Sequence, residues 1–183
     1  MIDKFGLAII TVFGIGHLKH APGTAVSFVT TLIYCLLFTL KVSFIIPVIT
    51  FICLFILSIF LIKKLSKNFK KKDPPEIVID EFIGISVPIL LYYFLISENP
   101  FDLIPIGVSL NKIFYLYSFM IFVFFRLFDI FKPFPINKVD KNLKNEFGIV
   151  LDDVLAGIYT WLTIEFIDFF FMDQLIEFKM KNK

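Results

Sequence analysis

The stretch "FFRLFDIFKPFP", residues 124–135, closes an apolar segment with a group of charges. Residues 113–131 read as a membrane-spanning helix, yet its last turns carry Arg126 and Asp129, and Lys132 follows directly. Charges at membrane depth are costly and are rarely kept there without a purpose. The three residues recur at intervals of three, so they can share one face of a helix. The stretch therefore predicts a membrane helix with a charged, functional end.

The composition of the whole chain also indicates a membrane protein. Hydrophobic residues make up 58% of the 183 residues, including 26 Phe, and the mean hydropathy is +0.86. Soluble domains usually hold a smaller apolar share, so we expect an all-α, polytopic membrane bundle. The length predicts a single domain over residues 1–183. A soluble bundle with an unusually apolar core is the alternative.

Five apolar stretches are candidate spans: residues 25–40, 42–62, 83–97, 113–131 and 154–172. Only the second fully meets the length of about 20 residues that a bilayer core requires of a helix. The lysines near the C-terminus argue against a fifth crossing, because it would place them on the external side. The sequence thus predicts four or five spans, preceded by an N-terminal helix rather than by a cleaved signal peptide.

The distribution of lysines predicts which end of each span faces the cytoplasm. The basic run "KKLSKNFKKKD", residues 63–73, follows the second stretch, and four further lysines follow the fourth. The connection at residues 98–112 holds a single lysine. Basic loops stay cytoplasmic, so this connection is predicted to be external. The charged end of residues 113–131 is then cytoplasmic.

Two acidic pairs lie at the same predicted depth as this charged end. Asp80 and Glu81 precede the third apolar stretch, and Asp152 and Asp153 precede the last one. A glycine follows each pair at a spacing of four, and small residues let membrane helices approach closely. The two pairs are therefore predicted to meet the charged end of the fourth stretch in one site.

Five carboxylates packed without a cation would repel one another. Oxygen ligands without a Cys or His cluster favour Mg²⁺ or a similar ion. Arg126 offers paired donors that suit phosphate, and Lys132 adds a compact positive charge. This combination is typical of phosphoryl-group chemistry. Asp140, which follows in a predicted loop, is expected to be a solvated charge.

Structural alternatives remain open for the same residues. Arg126 and Asp129 are spaced for an ion pair within their helix. Lys132 is placed to extend its side chain to the membrane interface. Asp80 and Asp152 are placed to cap their helices.

A loop rich in glycine, "GIGHLKHAPGTAVS" at residues 14–27, precedes the first apolar stretch on the same predicted side. Thr24 or Ser27 is predicted to cap the following helix, whose N-terminus would be an anion site. His17 and His20 are expected to be interfacial residues rather than ligands.

These motifs resemble those of the phosphatidylglycerophosphatase A family. The matching pieces are "FGIGHLKHAPGTAVS", "IDEFIG", "FRLFDIFKPFPI" and "FGIVLDDVLAG", in the family's order and at similar spacing. The resemblance implies a bundle of about six helices that hydrolyses phosphatidylglycerophosphate to phosphatidylglycerol and inorganic phosphate with Mg²⁺. It also implies a bacterial inner-membrane enzyme with its active site on the cytoplasmic side. Neither nucleic acid nor an obligate protein partner is implied.

The motifs and the resemblance together assign expected roles. Catalysis falls to five carboxylates: Asp80, Glu81, Asp129, Asp152 and Asp153. The metal is expected on four of them: Asp80, Glu81, Asp129 and Asp153. Phosphate binding is expected from Arg126, Lys132, Thr24 and Ser27. Which carboxylate acts as base or nucleophile stays open.

Two other functions compete with this interpretation. A CDP-alcohol-type phospholipid phosphotransferase also clusters aspartates at the cytoplasmic face, but its acids lie in one stretch, whereas here they lie in three. A small membrane transporter would need polar residues deeper in its spans, and Glu165 and Asp168 of the last stretch fit that description.

Overall fold

The computed structural model of the protein describes residues 2–65, 74–98, 109–143 and 145–181. Within these ranges it holds seven α-helices, one 3₁₀ turn and no strand, which confirms the all-α prediction. In chain order the elements are α1 (Ile2–Ile10), the 3₁₀ turn (Ile15–His17), α2 (Pro22–Thr39), α3 (Ile45–Leu65), α4 (Ile79–Glu98), α5 (Leu110–Phe131), α6 (Ile136–Asn142) and α7 (Glu146–Lys181).

Five helices, α2, α3, α4, α5 and α7, are long and apolar enough to cross a bilayer. The chain is therefore a multi-pass membrane protein, and the fifth candidate span is present despite the lysines that argued against it. The bundle has one helix more than the expected six. The extra helix is α6, which lies in the segment after α5 where the sequence indicated a loop.

Two helices begin earlier than predicted and so include their acidic pairs. α4 begins at Ile79, four residues before the predicted start, and α7 begins at Glu146, eight residues before it. Carboxylates are favourable in the first turns of a helix because its N-terminus carries a partial positive charge. Asp80 and Asp152 lie inside these helices, so the alternative in which they act as N-caps is wrong.

α7 also continues further than predicted, for 36 residues in all. The tail after residue 172 has a helical backbone to Lys181. The first turn of α7 is held by Asn145, whose Oδ1 accepts a hydrogen bond from the backbone N–H of Gly148 at 2.8 Å. This is the contact of an N-cap residue, and the sequence reasoning had assigned no role to Asn145.

α4 lies at the centre of the bundle. It packs against α2, α3, α5 and α7. Within the protein, 67% of the candidate membrane span of α4 is buried, compared with 22% of that of α3. Its fully buried side chains include Ile89 and Tyr92. α3 instead exposes a row of large apolar side chains, as expected for a helix with lipid on one side. The acidic pair at the start of α4 is therefore held by the most enclosed of the five candidate spans.

Two glycines set the distance between α4 and α7. A Cβ added to Gly84 would overlap the Asp153 backbone, and one added to Gly157 would overlap the carbonyl oxygen of Gly84. The two backbones therefore touch at a point where any side chain would separate them. The close approach predicted from the glycine spacing is confirmed.

The N-terminal segment forms the expected helix, α1, which packs against the bundle. α1 packs on α3, where Gly6 lies against Leu61 and Leu65. The end of α1 is joined to the segment before α4 by a hydrogen bond of 3.0 Å from the Val78 N–H to the Ile10 carbonyl oxygen. This brings the glycine-rich loop to the end of the bundle where α4 begins.

Much of the predicted membrane orientation depends on segments beyond the described ranges. Residues 66–73 form most of the basic run, and residues 99–108 form most of the connection predicted to be external. The assignment of the charged end to the cytoplasm therefore stays a prediction.

Candidate active site

A cavity of about 780 Å³ opens at the end of the bundle where α2, α4 and α7 begin and α5 ends. The charged residues predicted for the site all line it: Asp80, Glu81, Arg126, Asp129, Lys132, Asp152 and Asp153. The prediction that three separate segments converge is confirmed. With Asp140, which also lines the cavity, six carboxylates face two cations. This excess of negative charge favours binding of a further cation.

Arg126 and Asp129 form the ion pair within α5 that their spacing allowed. The Arg126 Nη1 donates to the Asp129 Oδ2 at 2.5 Å, and both side chains are largely buried. The Arg126 Nε is also buried and has no hydrogen-bond partner among the described residues. Because a guanidinium carries five N–H donors, the pair leaves Arg126 able to bind an oxyanion in the cavity.

Lys132 stands just beyond the end of α5 and does not share a helix face with Asp129. Its backbone is left-handed, with φ 41°, and the following Pro133 disfavours the right-handed helical conformation at this position. Its Nζ donates to the Asp152 Oδ2 at 2.5 Å and to the Asp140 Oδ1 at 2.8 Å. The ammonium group of Lys132 therefore lies in the cavity wall, paired with two carboxylates.

These contacts keep Lys132 charged. Burial alone lowers the pKa of Lys132, but its hydrogen bonds with Asp140 and Asp152 more than offset this and raise the pKa above its ordinary value. Lys132 is therefore a permanent positive charge beside the acidic groups at neutral pH.

Asp140 is the candidate residue that the sequence reasoning missed. It was expected to be solvated in a loop, but it lies on α6, lines the cavity and pairs with Lys132. The signal was present in "INKVDKN", residues 136–142, where Asp140 follows Ile136 by four positions. Such residues lie on one face of a helix, and Ile136 is fully buried. Asp140 is thereby turned toward the bundle.

Asp80, Glu81 and Asp153 offer oxygen atoms that lie within 4.8 Å of one another. The Glu81 Oε2 is buried and has no hydrogen-bond partner among the described residues, although buried polar atoms normally have one. No Cys or His is among the described residues that line the cavity. This all-oxygen set fits a hard divalent cation such as Mg²⁺. Asp129, the fourth expected ligand, is outside the group.

Gly23 at the start of α2 lets two functional side chains approach the same point. A Cβ there would overlap the Glu81 Oε1 and stand 3.2 Å from the Arg126 Nη1. The glycine-rich loop thus contributes to the site by leaving space for the side chains of Glu81 and Arg126.

The structure does not bring the two predicted hydroxyl groups of this loop motif into the cavity. Among the described residues, neither Thr24 nor Ser27 lines it. Ser27 is buried, and its Oγ donates to the Gly23 carbonyl oxygen at 2.8 Å. α2 begins at Pro22 with Ala21 as its cap, so the prediction that Thr24 or Ser27 caps the helix is wrong. Their expected phosphate binding has no support in this geometry.

The acids that kept the transporter alternative open have partners on neighbouring helices. The Tyr92 hydroxyl of α4 donates to the Glu165 Oε1 at 3.0 Å, and the Tyr117 hydroxyl of α5 donates to the Asp168 Oδ2 at 2.8 Å. Hydrogen bonds between spans stabilise membrane bundles. Glu165 and Asp168 therefore join α7 to α4 and α5.

Comparisons with known proteins point to the same chemistry. The family model described as Phosphatidylglycerophosphatase A matches residues 8–168. A Haemophilus influenzae protein named phosphatidylglycerophosphatase A is 32% identical over 157 residues, which cover 83% of this chain and 82% of that protein. An Escherichia coli protein of the same name is 28% identical over 102 residues, or 56% of this chain and 49% of that protein.

A further relative carries a different name. This Bacteroides thetaiotaomicron protein, a candidate phosphatidylinositol-3-phosphatase, is 32% identical over 157 residues, which cover 84% of this chain and 87% of that protein. No solved structure matches the chain at a significant level.

Proposed function

Because the chain belongs to the phosphatidylglycerophosphatase A family and is a phosphatase, we propose that it hydrolyses phosphatidylglycerophosphate. The products are phosphatidylglycerol and inorganic phosphate. The reaction is Mg²⁺-dependent and takes place at the cytoplasmic face of a bacterial inner membrane. The phosphatase interpretation is thereby favoured over the phosphotransferase and transporter alternatives.

One observation carries the proposal. The carboxylates of α4 and α7 and the cations at the end of α5 line a single cavity at one end of the candidate spans. A phospholipid keeps its phosphate near the bilayer surface while its acyl chains stay in the hydrocarbon core. A phosphatase that acts on such a lipid needs its charged groups at the ends of its spans, which is where this cavity lies.

The side chains of the cavity have different roles in the reaction. In hydrolysis, the oxygen of water forms a bond to phosphorus while the bond between phosphorus and the glycerol oxygen breaks. Arg126 and Lys132 bind phosphate oxygens and offset the negative charge that develops on them. A carboxylate of the cavity accepts the proton of the attacking water, and the glycerol oxygen leaves as the alcohol after it gains a proton.

We propose that Asp80, Glu81 and Asp153 hold the Mg²⁺. When bound, this ion supplies positive charge that polarises a phosphoryl oxygen. The support is their shared oxygen cluster and the buried Oε2 of Glu81. Asp152 has a different environment, since one of its oxygens already accepts from Lys132.

Phosphate release from the purified, full-length protein tests the proposal. The protein in detergent micelles is given Mg²⁺ and phosphatidylglycerophosphate, and both phosphate and phosphatidylglycerol are measured. The Bacteroides relative makes phosphatidylinositol 3-phosphate the second substrate to offer. We expect turnover of phosphatidylglycerophosphate to dominate. Selective turnover of the inositol lipid would reassign the substrate, and phosphate release from neither lipid would overturn the proposal.

The cytoplasmic orientation is tested by accessibility labelling in intact cells. The two free cysteines, Cys35 and Cys53, are first replaced by alanine. Single cysteines are then placed at Lys141, on exposed α6 near the cavity, and at Ser43, exposed in the turn after α2. A membrane-impermeant thiol reagent should label Ser43→Cys and spare Lys141→Cys. The opposite pattern would place the cavity outside.

A further inference from the structure

Lys132 is held between two carboxylates that come from different helices. Its Nζ donates to Asp152 on α7 and to Asp140 on α6. The Asp152 side chain is only 7% exposed, whereas that of Asp140 is 38% exposed. Asp152 belongs to the buried wall, so Asp140 is the contact that draws the ammonium group toward the open part of the cavity.

The position of Asp140 is fixed by the anchoring of α6. Ile136, one turn earlier on the same helix face, is fully buried in the main core. The segment before α6 is held by the Tyr159 hydroxyl of α7, which donates to the Phe134 carbonyl oxygen at 2.9 Å. α6 also packs along α7. Asp140 is therefore carried by a supported element, although its carboxylate is partly exposed.

Counting donors shows what this arrangement leaves available. An ammonium group has three N–H donors, and two of those of Lys132 are directed to Asp140 and Asp152. Lysine reaches its partners through a flexible four-carbon stem. With Asp152 as its single partner, the ammonium group could turn about that contact. With both partners in place, its remaining donor has a fixed direction.

We propose that Asp140 is a positioning residue, which fixes the Lys132 ammonium group so that its remaining donor meets the substrate phosphate. This inference rests on the proposed phosphatase function and adds a residue to it. Asp140 acts through Lys132 and need not touch the lipid. Its loss should therefore impair phosphate binding and turnover, but only while Lys132 is present.

The simpler interpretation is that Asp140 forms a partly exposed ion pair with no further role. Such pairs contribute little to stability. The chain offers a matched control in Glu146 of α7, which pairs with Lys63 at 3.7 Å and has a side chain 30% exposed. Glu146 is not among the described residues that line the cavity. Glu146→Gln therefore removes a comparable ion pair away from the chemistry.

The first test is a double-mutant cycle on phosphate release from phosphatidylglycerophosphate. Asp140→Asn should lower kcat/KM roughly tenfold, as expected for a small misplacement of a phosphate-binding group. Glu146→Gln should stay within about twofold of wild type. In a Lys132→Gln background, Asp140→Asn should have no further effect. If Asp140→Asn lowers kcat/KM by the same factor in the wild type and in the Lys132→Gln variant, the inference is overturned.

The second test does not need turnover. Binding of inorganic phosphate to the full-length protein is measured by titration calorimetry in the presence of Mg²⁺. Asp140→Asn should weaken this binding and Glu146→Gln should not. If the wild type does not hydrolyse the lipid but its phosphate binding depends on Asp140, the proposed function is refuted and the inference stands. Phosphate binding unaffected by Asp140→Asn, or undetectable in the wild type, would overturn the inference.

Folding is controlled by thermal melting of each variant, with Asp140→Ala as a second substitution at the same position. Since Asp140 is partly exposed, both variants should melt within a few degrees of Glu146→Gln. If neither Asp140 variant gives folded protein, the residue is structural and the inference is overturned.

Discussion

Gly84 of α4 lies against the backbone of Asp153 on α7. A Cβ added to Gly84 would stand 2.6 Å from the Asp153 carbonyl oxygen and 2.8 Å from the Asp153 Cβ. Asp80, another carboxylate of the cavity, lies one turn before Gly84 on the same helix. The separation of the two carboxylates is therefore set directly by the packing of one glycine.

Gly84→Ala should damage both stability and activity. The added methyl group meets backbone atoms that cannot move aside, and overpacking of this kind costs about 1–3 kcal/mol. The same displacement shifts Asp153 relative to Asp80, so kcat should fall more than the loss of folded protein explains. Thermal melting and phosphate release, measured on the same preparation, separate the two effects.

Gly6→Ala is the control for this substitution. Its Cβ would meet the end of the Leu65 side chain at 2.9 Å, and a flexible side chain can shift. The gain in helix propensity of about 1 kcal/mol offsets the crowding, so stability and turnover should stay close to wild type. Equal behaviour of the two alanine variants would contradict the idea that Gly84 sets the geometry of the site.

Arg126→Lys should reduce turnover strongly without affecting membrane insertion. The substitution keeps the charge next to Asp129 but loses the planar fork that binds two phosphate oxygens. Loss of a preorganised donor to a developing charge costs roughly a hundredfold in kcat or more. Near-normal kinetics would indicate that Arg126 serves the ion pair with Asp129 alone.

Removal of divalent metal should abolish activity reversibly. Exhaustive treatment with EDTA should stop phosphate release, and added Mg²⁺ should restore it, because the oxygens of Asp80, Glu81 and Asp153 fit such an ion. Asp153→Asn should raise the Mg²⁺ concentration needed for half-maximal activity. Full activity after chelation would rule out the metal site.

The carboxylates of the three segments should act as one unit. Asp80→Asn, Asp129→Asn and Asp153→Asn should each remove most activity while leaving similar amounts of folded protein. Residues that act together show non-additive losses, so a triple variant should be scarcely worse than the worst single one. Losses that multiply independently would show that the three carboxylates serve separate steps.

Tyr92→Phe should weaken the bundle and leave the chemistry intact. It removes the hydrogen bond to Glu165, and such bonds between membrane helices contribute about 1 kcal/mol. Glu165 lies roughly 18 Å along α7 from Asp153 at 1.5 Å per residue, which is too far to affect the cavity directly. The melting temperature in detergent should fall while kcat stays within about twofold of wild type. Lost turnover with unchanged melting would give this polar pair a functional role.

The meeting of the three charged segments was predictable from local patterns. Continuous apolar stretches placed the helices, lysine counts predicted which of their ends lie together, and glycines four positions after Asp80 and Asp153 marked the close approach. Each of these signals is carried by residues near one another in the chain. For that reason the cavity could be anticipated without knowledge of the tertiary structure.

The parts that could not be predicted depend on tertiary contacts. α6 is too short to be stable alone and exists because Ile136 finds a place in the core. Only that packing turns Asp140 toward Lys132. In the same way, Ser27 looked available for phosphate in the loop motif, but its hydroxyl is satisfied by the carbonyl oxygen of Gly23 inside α2.

α7 is an uninterrupted rod of 36 residues, or roughly 54 Å at 1.5 Å per residue. It crosses α4 at Gly157, about 6 Å along the rod from Asp153 and about 36 Å from its far end. Beyond the crossing, the hydroxyls of Tyr92 and Tyr117 hold Glu165 and Asp168 of the rod against α4 and α5. Gly157, Glu165 and Asp168 span about 17 Å of the rod, so one continuous stretch of α7 is held by two neighbouring helices. Asp153 lies one turn before this stretch, so a tilt of the rod would have to break contacts on both helices before it moved the carboxylate.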